Sequence, residues 1–120
     1  NTVLFNGRLV KNPILTELEN DSSVTRFTVA VNRSFRNTHG EHDADFVPCF
    51  AWGEKGRAYA KNLKQGSLVG VKGALRSRSY EDNGKKLFVL EVQVEEVDFL
   101  SSKPNNEQEL GFRFNDNPLA

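Results

Sequence analysis

The sequence predicts an all-β protein: a barrel of five antiparallel strands with one short helix between strands three and four, then a flexible C-terminal tail. Three observations predict it. Five stretches alternate apolar and polar side chains with a period of two, which places same-parity residues on one face of a strand. A single segment of helix formers, residues 54–64, separates the third stretch from the fourth. Glycines inside two strands, and a one-residue slip in the last, supply the bends that closure needs.

The first strand covers residues 2–10, with Val3, Phe5, Gly7 and Leu9 on one parity; Gly7 marks a bend or bulge. Lys11-Asn12-Pro13 breaks it. Residues 15–23, with Glu17, Glu19 and Asp21, read as a connecting loop or irregular strand. Residues 24–33 are the clearest strand: Phe27, Val29 and Val31 face one way, Arg26, Thr28, Ala30 and Asn32 the other. Residues 33–43, RSFRNTHGEHD, read as a long hairpin loop with turn chemistry at Asn37, Gly40 and Asp43. Long loops in compact domains are often functional.

Residues 45–52 form the third strand. Val47, Cys49 and Ala51 make a small core face, whereas Phe46, Pro48, Phe50 and Trp52 share the other. So many large rings on one solvent side would be an odd use of surface. Pro48 cannot donate to a ladder, so the strand is expected to be at an edge or irregular there. In the helix, Glu54 near the start and Lys61 and Lys64 near the end suit its dipole. Ala58, Tyr59 and Leu63 would form its apolar stripe, and Gly56 weakens it.

The fourth strand, SLVGVKGALRSRSY over residues 67–80, turns Val69 and Val71 to one side and Lys72, Arg76, Arg78 and Tyr80 to the other. Charge for phosphates beside a ring for unstacked bases is what a nucleic-acid strand needs, although a solvated strand face would look the same. Asn83-Gly84 signals the turn into the fifth strand, residues 87–100. There Phe88, Leu90, Val92 and Val94 alternate with Glu91, Gln93 and Glu95, and the pattern slips at Glu95-Glu96 as in a β-bulge. This order of elements describes an OB-fold barrel, which binds single-stranded nucleic acid or oligosaccharide. Residues 1–100 would form the domain. Residues 101–120, with few aliphatics and no periodicity, would form the tail, where Phe112 and Phe114 could dock.

Composition narrows the function. The chain has 120 residues, enough for one small domain, and a mean hydropathy of -0.54. Sixteen basic and sixteen acidic residues give no net charge, so a nucleic-acid binder must segregate its charges. The cations Arg33, Arg36, Lys72, Arg76, Arg78, Lys85 and Lys86 fall on the proposed face or its loops, and the acids Glu91, Glu95, Glu96 and Asp98 gather on the last strand. Cys49 is the single cysteine, which excludes an internal disulfide and fits a reducing compartment. The first residues lack the layout of a signal peptide and no apolar run is long enough to span a membrane, so a cytoplasmic protein is expected. His39 and His42 lack further ligands in reach, so neither a metal nor another cofactor is expected. Glu95 and Glu96 point to opposite faces, and no nucleophile–base pair or phosphate-binding glycine loop stands out. A binding protein is expected, not an enzyme.

In order and spacing, GRLVKNP, VTRFTVAVNRSF, DFVPCFAWG, KGRAYAKNLKQGSLVGVKGALRSRSY and LFVLEVQVEEVDFL resemble the bacterial and phage single-stranded DNA-binding proteins, over roughly residues 2–100. The resemblance implies sequence-independent binding and protection of single-stranded DNA in replication, recombination or repair, by homotetramers of OB-folds. It also implies base-stacking aromatics at Phe35, Phe46, Trp52 and Tyr80. Three of these are Phe or Tyr where well-known members carry tryptophan, and Trp52 is larger than the phenylalanine often found there. The family's tail usually ends in an acidic cluster with proline and phenylalanine that docks on replication and repair proteins. Here the end is FNDNPLA, with only Asp116 acidic, Pro118 present and Leu119 in the aromatic's place. The tail either recruits different partners or has lost that function. The competing reading is an OB-fold protein-interaction module of a replication complex with weak DNA binding. An oligosaccharide module ranks third, because sugar sites do not need seven cations nearby.

Overall fold

The computed structural model describes residues 1–101. Its order is β1 (Val3–Leu9), β2 (Ile14–Glu17), a 3-10 turn (Glu19–Asp21), β3 (Ser23–Arg36), β4 (His42–Trp52), α1 (Gly53–Asn62), β5 (Leu68–Asp82) and β6 (Lys85–Ser101). Of the tail expected over residues 101–120, Ser101 still belongs to β6 and residues 102–120 lie outside the described residues.

The strands run β1-β5-β6-β4-β3, and β1 then returns to pair with β3, closing a five-stranded barrel. Closure happens along β1. Its residues 3–8 pair with β5, and Arg8 and Leu9 also pair with Ala30 and Val29 of β3. The expected slip in β6 is present: Lys72 faces Glu96 while Gly73 faces Val94, leaving Glu95 as the bulged residue.

Several expectations need correcting. The strands are not all antiparallel, because β4 and β6 pair in parallel at Cys49–Val92 and Phe50–Gln93. Of the two readings of residues 15–23, a loop or an irregular strand, the structure has a short strand at the start, β2, which pairs with residues 23–26 of β3 beyond the reach of β1 and runs into the 3-10 turn. The hairpin loop is shorter than residues 33–43. β3 continues to Arg36 and β4 begins at His42, and Asn37 knits the turn by accepting from the amides of His39 and Glu41 at 2.8 and 3.0 Å. Ala58 does not join the helix's apolar stripe; it is exposed.

The core holds Leu9, Phe27, Val29, Cys49, Ala51, Leu63, Val69, Val71, Val92 and Val94. Apart from Leu63 at the end of α1, these lie on the inward parity of each strand, and each large apolar side chain so buried contributes about 1.5–3 kcal/mol. Helix α1 plugs one end, with Tyr59 edge-on to Phe27 at 6.3 Å and Leu63 buried just beyond it. Gly56 costs the helix propensity but permits its docking. A Cβ there would lie 2.5 Å from the Ala51 carbonyl oxygen and 3.0 Å from Thr25 Oγ1. Burial pushes the Cys49 thiol up to about 12, so it is an inert core residue.

Beyond the barrel, β5 and β6 run on as a two-stranded arm. β5 loses β1 after Gly73, and β6 has β4 beside it only at Val92 and Gln93. The β5–β6 ladder nevertheless continues to Asp82–Lys85, roughly 20 Å further. Phe88 and Leu90, which alternate in step with Val92 and Val94, lie on this arm and are 73% and 61% exposed. Their parity matches Val92, but among the described residues no helix or strand pairs over that face.

Candidate nucleic-acid interface

The outer face of β3, β4, β6 and β5 carries most of the expected site residues. On β4 the outward parity is Phe46, Pro48, Phe50 and Trp52, opposite Ala30, Thr28, Arg26 and Val24 of β3. Phe46 is 64% exposed and stands at a groove of about 430 Å³ whose rim includes Lys11, Asn12, Ile14, Arg26 and Thr28. Pro48 lines the same groove and precedes the point where β6 joins β4, so its missing N–H faces no second strand. Trp52 is half-exposed and meets Phe50 edge-on at 6.0 Å. It does not plug the barrel. Phe50 is buried and packs; it is not a platform. Phe35, 67% exposed, stands near the end of β3 beside the short turn. Tyr80 stands half-exposed on the arm, with the Arg78 guanidinium 5.9 Å from its ring centre.

The cations divide. Arg76 donates from Nε to Gln93 Oε1 at 2.9 Å, and Arg78 donates from Nε and Nη2 to Glu91 at 3.2 and 3.3 Å. Lys85 and Lys86 lie at the tip of the arm, opposite Asp82 and Glu81. Arg33 is held by Asp45 through Nε and Nη2, the shorter bond 2.7 Å. That bond pulls the Asp45 carboxyl below the ordinary carboxylate value. Arg36 donates to the Gly40 carbonyl at 2.7 Å. Lys72 is separated from the rings. It sits between Leu4 of β1 and Glu96 of β6, in a cleft it shares with Asp98.

Charge is less segregated than the sequence suggested. Glu91 lies within the basic face, not on an acidic flank. Only 5% exposed, it accepts from Arg26 Nη1 at 2.7 Å as well as from Arg78. Burial pushes its carboxyl up, but the hydrogen bonds from Arg78 and Arg26, with their charges, outweigh burial and hold it below its ordinary value. It therefore stays ionised and fixes two arginines, Arg78 from the neighbouring β5 and Arg26 from β3, two strands away in the sheet order. Arg26 also lies 5.4 Å from the Phe50 ring centre. Sequence reading put Arg26 on the outward face but did not select it. The signal that finds it is its cross-strand partner, Phe50, which requires the β3–β4 register.

An OB barrel whose outer face presents exposed rings between half-exposed arginines defines a binding domain for unpaired nucleic acid. The model of the Single-strand binding protein family matches residues 1–100, and the chain belongs to this family. Single-stranded DNA-binding protein 2 of Listeria monocytogenes is 47% identical over 88% of this chain and 67% of its own length. Single-stranded DNA-binding protein A of Bacillus subtilis is 47% identical over 86% of this chain and 60% of its own length. Single-stranded DNA-binding protein 1 of Clostridium acetobutylicum is 44% identical over 86% of this chain and 96% of its own length. The chain thus spans only about three fifths to two thirds of the first two relatives.

Proposed function

We infer that residues 1–100 bind single-stranded DNA without regard to sequence and protect it during replication, recombination or repair in the cytoplasm, by binding and not by catalysis. The observation that carries this is the placement of Phe46, Trp52 and Tyr80, each 47–64% exposed, on the outer face that also holds Arg26, Arg76 and Arg78. Phe35 would extend the row of platforms. Bases stack on such rings whatever their identity, because every base has a π face. Arg26, Arg76 and Arg78 would meet phosphates, with Lys85 and Lys86 at the arm's tip and Arg33 and Arg36 at the β3–β4 turn. Lys72 supports this role least, given its acidic neighbours.

Adding oligo-dT at low salt should quench the fluorescence of Trp52, the one tryptophan in the chain. If about four phosphates are neutralised, affinity should fall with salt at a log–log slope of about -3. A folded protein that shows no quenching at low salt would sink the reading.

Oligomerisation, to a tetramer, is part of the same proposal. It is supported by Leu4, Phe99 and Leu100, which are 50–73% exposed on β1 and β6. Leu4 and Leu100 share with Phe5 the cleft of about 420 Å³ that also holds Lys72, Glu96 and Asp98, and a second copy would cover its apolar side chains. Light scattering should return four times the 13.5 kDa chain mass, and a monomer would reject the tetramer while leaving strand binding standing.

A further inference from the structure

The arm has two faces, and only one belongs to the interface described above. Arg76, Arg78 and Tyr80 occupy the outer face, opposite Glu91, Val89 and Leu87. The reverse face carries Leu75, Ser77, Ser79 and Glu81 of β5, opposite Val92, Leu90, Phe88 and Lys86 of β6. Phe88 and Leu4 are the most exposed large apolar residues in the described chain, at 73% each. Leu90 and Leu75, on the same face as Phe88, are 61% and 42% exposed. A two-stranded ribbon has little stability of its own, and an apolar stripe left open on it marks a surface that something covers.

We propose that Phe88, with Lys86, is a further base-stacking site for single-stranded DNA, on the reverse face of the β5–β6 arm. Three observations favour nucleic acid as the occupant. First, the Lys86 ammonium lies 5.9 Å from the Phe88 ring centre, the same spacing as Arg78 over Tyr80. Each face of the arm therefore presents a ring with a cation beside it, a π surface for a base next to a partner for its phosphate. Second, the two rings occupy neighbouring rungs of one ladder, Ser79–Phe88 and Tyr80–Leu87. Third, among the described residues no strand pairs with either edge of the arm beyond Gly73 and Val92, and past the Asn1 side chain bonded to Leu75 a DNA strand can pass over an edge from one face to the other. The ribbon to be crossed is only two strands wide, about 5 Å between strand axes. Glu81, opposite Lys86, is the one acid on this face of the arm, and Lys86 stands over the ring. The inference rests on the strand-binding reading and adds a grip on the second face of the arm.

The test moves the tryptophan. In the double variant Trp52→Phe, Phe88→Trp, the introduced indole is expected to emit as a solvent-exposed group and to be quenched by oligo-dT, as Trp52 is in the unmodified protein. Phe88→Ala alone should weaken oligo-dT binding about tenfold. Quenching of Trp52 in the unmodified chain without any change at the introduced indole overturns the Phe88 site and leaves strand binding intact. An indole already shielded before DNA is added, and indifferent to it, also overturns the site and assigns the face to a second copy of the chain. Absence of quenching in the unmodified chain removes both readings together.

Discussion

Affinity for oligo-dT falls roughly a thousandfold when Phe46 and Trp52 are both replaced by alanine. Each ring that loses a stacked base costs about 2 kcal/mol, within the usual 1–3 kcal/mol, and 1.4 kcal/mol is a factor of ten. The two losses are expected to add. Phe46 sits opposite Ala30 and Trp52 opposite Val24, six residues apart along β4 and roughly 20 Å in distance, with no shared partner. Neither substitution empties the core, because both side chains are at least half-exposed. The salt dependence should be unchanged, since no cation is removed. Fluorescence anisotropy of labelled oligo-dT measures both quantities, and Trp52 need not report. Full-strength binding by the double variant, with the thermal transition unaltered, would mean that the strand runs elsewhere.

Gly73→Ala unfolds or severely destabilises the barrel, by about 3 kcal/mol or more. A Cβ at this position would collide with the Gln93 carbonyl oxygen and press on Val92 Cγ1 at 2.7 Å. The obstacle is backbone from the partner strand, which cannot rotate away as a side chain would. Overpacking of a core side chain costs about 1–3 kcal/mol, and moving a ladder costs more. Gly73 lies just past the Glu95 bulge, where β5 leaves β1 and starts out along the arm. The bend there sets the direction of Arg76, Arg78 and Tyr80. Denaturant unfolding should show the midpoint shifted down or the transition lost. An unfolding free energy within about 1 kcal/mol of the unmodified protein would show that β6 can yield.

Together these two outcomes separate what the molecule does from what holds it up. Exposed rings on β4 can be removed with little consequence for the fold, because burial supplies little of their stability. A methyl group added to one β5 glycine has the reverse effect.

Much of this was readable in the chain alone. Side-chain parity along a strand is covalent geometry, so alternation placed Val69 and Val71 inside and Arg76, Arg78 and Tyr80 outside without any knowledge of neighbours. The slip at Glu95-Glu96 was visible for the same reason, since an extra residue changes the parity of everything after it. The helix slot followed from residue types that suit a helix dipole. What only the tertiary structure decided is everything that depends on which strand lies beside which, and for how long. Register brought Glu91 between Arg26 and Arg78, put Asp45 on Arg33, and left Lys72 among Glu96 and Asp98. Strand overhang left Phe88 and Leu90 uncovered although their parity marks them as core. The physical reason is that period-two alternation specifies a face, whereas burial and charge pairing depend on contacts between residues far apart in sequence.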